Sequence, residues 1–276
     1  MKIGVIGLGK LGSCLAKVLA ENNEVIGIDL EKKIIPGVIT TMNFQCLSEC
    51  EVIFNVVNTP SNVRGNFSNK YLFSSTNSAK PYLKNCKVYV IVSTVMPRTC
   101  EKISKKLSCP VCYNPEFIRL SSIIEDMKNP DFVLIGEEDK ESGDIIEAIY
   151  RKILNYLPRK TPVKRMSLKS AELAKISLNS YITMKISFAN TIGRIAKKIG
   201  ANATQILEAI GTDKRIGPKY FKHGGAYGGP CFPRDNIAFG NVAGFITNYA
   251  SLTDIINKKV AKELGAFSDD ERYQNV

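Results

Sequence analysis

Apolar runs of strand length alternate with helix-period segments through about the first 160 residues, at 2–6, 24–28, 52–57, 88–92 and 132–135. Several of these runs are β-branched and apolar at consecutive positions, so both faces of each strand have to be covered, as in a parallel sheet flanked by helices. Repeated strand–helix alternation predicts a doubly wound α/β domain. After Pro158 and Pro162 the texture changes. Leu173, Ile176, Tyr181, Met184, Phe188, Ile192 and Ile195 recur at helical spacing, which predicts one long helix over 167–199, stopped by Gly200. Asn202 is placed to cap a short helix over 203–210 that Gly211 ends. A loop rich in glycine follows (Gly217, Gly224, Gly225, Gly228, Gly229), then 235–264 reads helical and the last dozen residues read polar and frayed. The pattern divides the chain into an α/β domain over 1–163 and an all-helical domain over 164–276, with no internal repeat.

Composition narrows the function classes. A chain of 276 residues with 44% hydrophobic content can bury one large or two ordinary cores. Its net charge of +12 admits nucleic acid, anionic membranes and phosphorylated metabolites as partners. The basic residues come in ones and twos, as at Lys32-Lys33, Lys105-Lys106 and Lys197-Lys198, which reads as solvated faces and argues against a nucleic-acid stripe. Eight irregularly placed cysteines in a chain of this size argue against a disulfide framework and for a reducing, cytoplasmic setting. Lys10 and Lys17 interrupt the apolar start, which argues against a signal peptide, and no run approaches the ~18 apolar residues of a membrane span.

The first strand runs into Gly7-Leu8-Gly9-Lys10-Leu11-Gly12, ahead of a helix with Leu15, Val18 and Leu19 on one face. In this spacing Gly7 permits the tight turn, Gly9 lets backbone approach a pyrophosphate, and Gly12 lets the helix pack close to the strand. The helix N-terminus then faces the phosphates with its positive end. Asp29 ends the second strand 20 residues after Gly9, where an acid accepts hydrogen bonds from the adenosine ribose and repels a 2′-phosphate. The Rossmann-like motif therefore predicts NAD. Lys32 and Lys33 keep NADP open as the alternative.

The stretch from Gly224 to Asp235, Gly-Gly-Ala-Tyr-Gly-Gly-Pro-Cys-Phe-Pro-Arg-Asp, puts Cys231 after a glycine run and at the start of a helix, a position that lowers a thiol pKa. Taken alone, such a cysteine also reads as a small buried residue. Further ordered motifs are Asn58-Thr59-Pro60, Ser93-Thr94-Val95, Asn114-Pro115-Glu116-Phe117, Asn129-Pro130-Asp131 ahead of Ile135-Gly136, Ala171-Glu172-Leu173 through Lys175 and Asn179, and Asp213-Lys214-Arg215-Ile216-Gly217. In this order and over essentially the whole chain, the sequence resembles the UDP-glucose/GDP-mannose 6-dehydrogenase family.

That resemblance implies an NAD-dependent double oxidation of a sugar C6 alcohol to a carboxylate, for polysaccharide biosynthesis, through a thiohemiacetal and a thioester on Cys231. It assigns Lys175 and Asn179, which share a helix face, to the developing oxyanion. Glu116 is implied as the general acid/base for the hydrolytic water, Thr94 as a residue positioning water, and Asp235 as the carboxylate organising water and the lysine. Gly7, Gly9, Lys10, Leu11, Gly12, Asp29, Thr59, Pro60 and Thr94 are implied in cofactor binding. Phe117, Ile118, Arg119, Lys175, Arg215, Tyr220, Lys222 and Gly228 are implied in substrate binding, Arg215 by reaching across a homodimer formed through the long helix. Read as isolated residues, Lys175 is a solvated helix lysine, Glu116 a loop carboxylate and Asp235 a helix-start acid.

The sequence also departs from the family pattern. Leu120 stands where many relatives have a second glutamate, Asn58 replaces a proline, and Arg234 stands where lysine is common. The resemblance implies a further nucleotide-gripping domain, and the chain ends about where that domain would start. A non-catalytic or split-enzyme subunit binding NAD or nucleotide sugar thus stays open, as does a β-hydroxyacid-type dehydrogenase that needs no cysteine. Cys109-Pro110-Val111-Cys112 has redox or half-zinc spacing but no ligand partners, so a buried strand is the better reading, and no metal is expected. His223, the only histidine, reads as a surface loop residue or a phosphate-orienting group.

Overall fold

The computed structural model describes residues 1–119, 121–154, 161–244 and 248–265. Pro158, Leu120 and the last eleven residues lie outside the described residues. The chain forms two compact units, one of Met1–Thr59 with Phe67–Leu173, the other of Pro60–Asn66 with the chain from Ala174 onward.

The first unit is built on strands β1 (Lys2–Ile6), β2 (Glu24–Ile28), β3 (Ile39–Thr41), β4 (Val52–Asn55), β5 (Val88–Ile91), β6 (Val111–Tyr113), β7 (Val133–Glu137) and β8 (Val163–Ser167). They form one sheet in the order β3-β2-β1-β4-β5-β6-β7-β8. Its helices are α1 (Lys10–Ala20), α2 (Lys70–Ala79), α3 (Thr99–Ser104), α4 (Ile123–Lys128) and α5 (Lys140–Ile153). Ile3, Val5, Phe54 and Val90 from the strands pack with Leu15 and Leu19 of α1 and Ile146 and Ile149 of α5 in the main core. This is why the runs in β1, β4 and β5 are apolar without alternation. One buried polar cluster interrupts the core: Asn55 Nδ2 donates to Ser75 Oγ (2.8 Å) and to the hydroxyl of the fully buried Tyr89 (2.7 Å).

Two features differ from the periodicity reading. The pairing of β6 with β7 is antiparallel, Tyr113 opposite Gly136, while the other neighbouring pairs run parallel. β8 begins at Val163 and runs across the boundary expected there, and the units divide after Leu173. The sequence of β8, Val-Lys-Arg-Met-Ser, has no apolar run because an edge strand gains its order from one neighbour and from its side chains. Arg165 supplies these contacts, donating to Glu137 Oε2 (2.7 Å) and pairing with Asp144 and Glu147.

The second unit is helical: α6 (Leu168–Ile199), which enters it at Ala174, then α7 (Ala203–Thr212), α8 (Phe232–Ala243) and α9 (Tyr249–Glu263). The long helix ends at Gly200, whose φ of 73° suits glycine in the left-handed stop. Asn202 caps α7 by accepting from Gln205 N. Gly211 does not end α7; it lies inside the helix, where a Cβ would meet Pro218 at 3.3 Å, so close packing explains it. The stretch 235–264 is two helices, α8 stopping at Gly244 with φ 72°. Their packing is partly polar. Asn236 of α8 accepts from Ser180 (2.9 Å) and Thr183 (3.0 Å) of α6 and donates to Asp254 (2.9 Å) and the Ala250 carbonyl (2.9 Å) of α9.

Candidate active site

In the first unit, Gly7 follows β1 with φ 88° and donates its N–H to the Ile28 carbonyl at 2.8 Å. Gly9 is the N-cap of α1, and no side chain caps the helix. A Cβ on Gly12 would lie 1.9 Å from the Gly7 carbonyl oxygen, whereas one on Gly9 would meet nothing within 4 Å. Open space ahead of uncapped N–H groups at the positive end of a helix fits a pyrophosphate. Asp29 Oδ2 accepts from Leu8 N at 2.6 Å and Oδ1 from Glu31 N at 3.2 Å, leaving further lone pairs for a ribose diol. Leu30 and Ile34 just beyond it are 83% and 92% exposed. Lys33 is ion-paired to Glu31 at 2.8 Å, which offsets its charge locally. Lys10 is exposed and Leu11 half-buried.

The loops after β4 and β5 are tied together. Thr59 Oγ1 donates to the Thr94 carbonyl (2.6 Å) and Ser93 Oγ to the Val57 carbonyl (2.5 Å), which sets the half-buried Thr94 at the carboxyl edge of the sheet. Pro60 opens the short segment Pro60–Asn66 that belongs to the second unit. Glu116, half-buried after β6, accepts from the hydroxyl of Tyr150 at 2.7 Å. Burial and this carboxylate push the Tyr150 hydroxyl well above its ordinary range. Sequence reasoning missed Tyr150, because on α5 it looks like one more member of the apolar face with Ile146, Ile149 and Ile153. Phe117 packs its ring on Phe132 at 4.8 Å, and Ile118 lies against the main core. Arg119 grips Asp126 with Nε (3.1 Å) and Nη2 (2.6 Å), holding that carboxyl down at about 2.

In the second unit, α6 and α8 bring Lys175, Asn179, Cys231 and Asp235 together. Asn179 Nδ2 donates to Asp235 Oδ2 at 2.6 Å. Lys175 is 7% exposed and Asp235 1%, so neither is the solvated helix residue that each resembles in isolation. Cys231, in contrast, is exposed as the N-cap of α8, and its carbonyl accepts the Asp235 N–H at 2.8 Å. The expectation of a lowered thiol pKa is overturned. Desolvation and the Asp235 carboxylate push the Cys231 thiol up, against the opposing pull of the Lys175 and Arg234 cations. A helix end offers only a partial charge, and here a full negative charge sits in the same first turn. Desolvation also raises the Asp235 carboxyl. Arg234 Nε stands 3.6 Å from Asp235 Oδ1. A thiol at a helix start beside a buried ammonium, an amide donor and a carboxyl can act as a nucleophile toward a carbonyl and hold the oxyanion that develops.

The remaining substrate candidates line the chain between α7 and α8. Arg215 is exposed and paired with Asp213 at 2.6 Å. Tyr220, with φ 59°, meets Phe232 edge-on at 6.1 Å; Lys222 is exposed and Gly228 half-buried. His223 is an exposed loop residue 3.4 Å from Thr204 Oγ1. Cys109 and Cys112 are buried at and beside β6, and burial pushes the Cys112 thiol up to about 12, which suits an inert strand residue. Among the described residues no group of three or more His, Cys, Asp or Glu could hold a metal ion, and no helix is long and apolar enough to cross a membrane.

Residues 37–154 match the model of the NAD binding domain of the UDP-glucose/GDP-mannose dehydrogenase family, and 169–259 match that of its central domain. A UDP-glucose 6-dehydrogenase of Rickettsia felis is 34% identical over 201 residues, 71% of this chain and 44% of that protein. The UDP-glucose 6-dehydrogenase TuaD of Bacillus subtilis is 30% identical over 277 residues, covering 88% of this chain and 59% of its own length. The chain thus spans about half the length of the curated relatives it matches. Among solved structures, a UDP-glucose dehydrogenase from the hyperthermophilic archaeon Pyrobaculum islandicum superposes with a TM-score of 0.83 at 26% identity, covering 96% of this chain and 71% of that one.

Proposed function

The chain belongs to the UDP-glucose/GDP-mannose dehydrogenase family, and on that premise we propose that it oxidises the C6 alcohol of a nucleotide sugar, UDP-glucose or GDP-mannose in type, to the uronate. The observation that carries this reading is the exposed Cys231 at the start of α8, under the influence of the buried Lys175. NAD, when bound, would accept one hydride from C6, so the two oxidations would consume two molecules of NAD in succession. In the proposed sequence the alcohol first becomes an aldehyde. The Cys231 sulfur bonds to the aldehyde carbon while the thiol proton passes to the aldehyde oxygen. Loss of the remaining C6 hydride and of the hydroxyl proton leaves a thioester. Water then attacks the carbonyl, the C–S bond breaks, and the carboxylate and the free thiol are released.

Lys175 and Asn179 are the groups we assign to the oxyanion at C6, with Asp235 fixing the Asn179 amide through their 2.6 Å hydrogen bond. Glu116 accepts the proton of the attacking water, oriented by Tyr150. Thr94 holds water at the carboxyl edge of the sheet. A homodimer through α6 belongs to the same proposal. Tyr181, Phe188 and Ile195 recur every seven residues along it and remain 48%, 47% and 50% exposed, an apolar seam of the kind helices cover with one another.

The test is NADH formation by the purified chain with UDP-glucose, GDP-mannose and a UDP-acetamidosugar, beside the variant Cys231→Ser. Turnover lost in the variant with NAD binding intact supports the reading; a variant as active as the parent points to a β-hydroxyacid-type reaction. The alternative reading is a subunit that binds NAD or nucleotide sugar without turning over. NAD binding with no NADH from any of the three sugars would establish it.

A further inference from the structure

The loop that delivers Cys231 is built from residues with little conformational preference of their own. Gly224 and Gly229 hold φ at 90° and 77°, and a Cβ on Gly224, Gly225 or Gly229 would meet nothing within 4 Å. A glycine-rich segment facing open space has more backbone freedom to lose than any other kind, so its ordered path needs fixed points. Two side chains on separate helices supply them. Asn190 of α6 accepts the Gly224 N–H at 2.8 Å with Oδ1 and donates Nδ2 to the Gly225 carbonyl at 2.8 Å. Asn257 of α9 does the same to one residue, accepting the Tyr227 N–H at 2.8 Å and donating to the Tyr227 carbonyl at 3.0 Å. Each asparagine is 3% exposed. A side-chain amide carries a donor and an acceptor side by side on separate atoms, so it satisfies an N–H and a C=O at once, as a paired strand would.

We propose that Asn190 and Asn257 are positioning residues that clamp the backbone of the Gly224–Cys231 loop and so hold the thiol of Cys231 in its place at the start of α8. The Tyr227 hydroxyl, bonded to Asp254, secures the same point from its side chain. Between the second clamp and the helix only Gly228, Gly229 and Pro230 remain, too few to let the sulfur wander while both clamps hold. The consequence for chemistry rests on Cys231 being the nucleophile; the clamps themselves do not.

Amide hydrogen exchange tests the clamps without any turnover. In the unaltered chain the Gly224 and Tyr227 amides should exchange slowly, like those of α8, despite lying in a loop; exchange as fast as in an unstructured peptide overturns the proposal outright, whatever the variants do. In Asn190→Ala and Asn257→Ala two hydrogen bonds are lost at each clamp, and at roughly fivefold per bond the loop amide concerned should exchange on the order of 20-fold faster while α6 and α9 stay protected. Asn257→Asp keeps the acceptor but sets a carboxylate against the Tyr227 carbonyl, so it should not rescue. The functional arm follows Cys231 alkylation by iodoacetamide, read by peptide mass, and NADH turnover where a sugar gives it. Both should change in the variants, with kcat falling and KM for NAD unmoved. Faster loop exchange with alkylation and kcat unchanged would remove the positioning role. Absence of NADH from the unaltered chain would count against the proposed reaction alone.

Discussion

Gly9 and Gly12 lie three residues apart in one motif, yet the structure separates their duties, and the pair of variants Gly12→Ala and Gly9→Ala tests that separation. A methyl group on Gly12 would stand 1.9 Å from the Gly7 carbonyl oxygen, and non-bonded carbon and oxygen keep about 3.3 Å apart, so the helix or the turn must retreat by about 1.4 Å. The turn cannot yield cheaply. Gly7 is pinned by its N–H bond to Ile28 and by its positive φ. Overpacking of this kind costs about 3 kcal/mol, and the better helix propensity of alanine returns about 1, for a net loss of about 2 kcal/mol. In a protein of this size the thermal midpoint should fall by roughly 4–8 °C. Gly9 has φ −64° and ψ −170°, which alanine adopts freely, and its methyl meets open space. The same substitution there should leave the midpoint unchanged or up by about 0.4–1 kcal/mol of stability. The methyl would instead fill the space ahead of α1, so the NAD dissociation constant should rise at least about tenfold, or about 1.4 kcal/mol. Thermal unfolding by circular dichroism and calorimetric titration with NAD read both numbers. Should Gly12→Ala melt with the parent, or Gly9→Ala bind NAD as the parent does, the steric account of this turn is wrong.

The pH dependence of Cys231 alkylation carries a sign. With the thiol pushed up by burial and Asp235, the rate should climb only above the ordinary thiol range; Lys175→Met should move the profile to higher pH and Asp235→Asn to lower pH, and shifts in the opposite directions would refute the charge assignment. Tyr89→Phe deletes a buried hydroxyl that accepts from Asn55 and meets Thr76 at 3.2 Å, so chemical denaturation should show a loss of about 1–3 kcal/mol, and an unchanged midpoint would mean water takes its place. Phe188→Lys puts a charge in the middle of the exposed α6 seam; sedimentation should show the dimer giving way to monomer, and a parent chain that is itself monomeric would end the dimer proposal.

Much of this protein is determined by its sequence alone, where the physical cause is local. Consecutive apolar residues in β1, β4 and β5 can only be satisfied with cover on both faces, and the spacing of Gly7, Gly9 and Gly12 answers a turn, an open approach and a close packing within one short segment. The same holds for the Asn202 cap and the Gly200 stop. The tertiary structure decided what depends on neighbours distant in the chain. The antiparallel β6–β7 pair and the polar edge strand β8 follow from partners, Arg165 with its carboxylates among them. Lys175 and Asp235 look like surface residues in sequence and become buried because α8 packs on α6. The thiol of Cys231 is a mixed case: its position at a helix start argued for a lowered pKa and Asp235 four residues on was legible too, but the desolvation that, with that carboxylate, reverses the sign comes only from packing. Tyr150, Asn190 and Asn257 carry no local signal, since a tyrosine on an apolar face and an asparagine within a helix acquire a role only when folding sets a distant carboxylate or loop backbone against them.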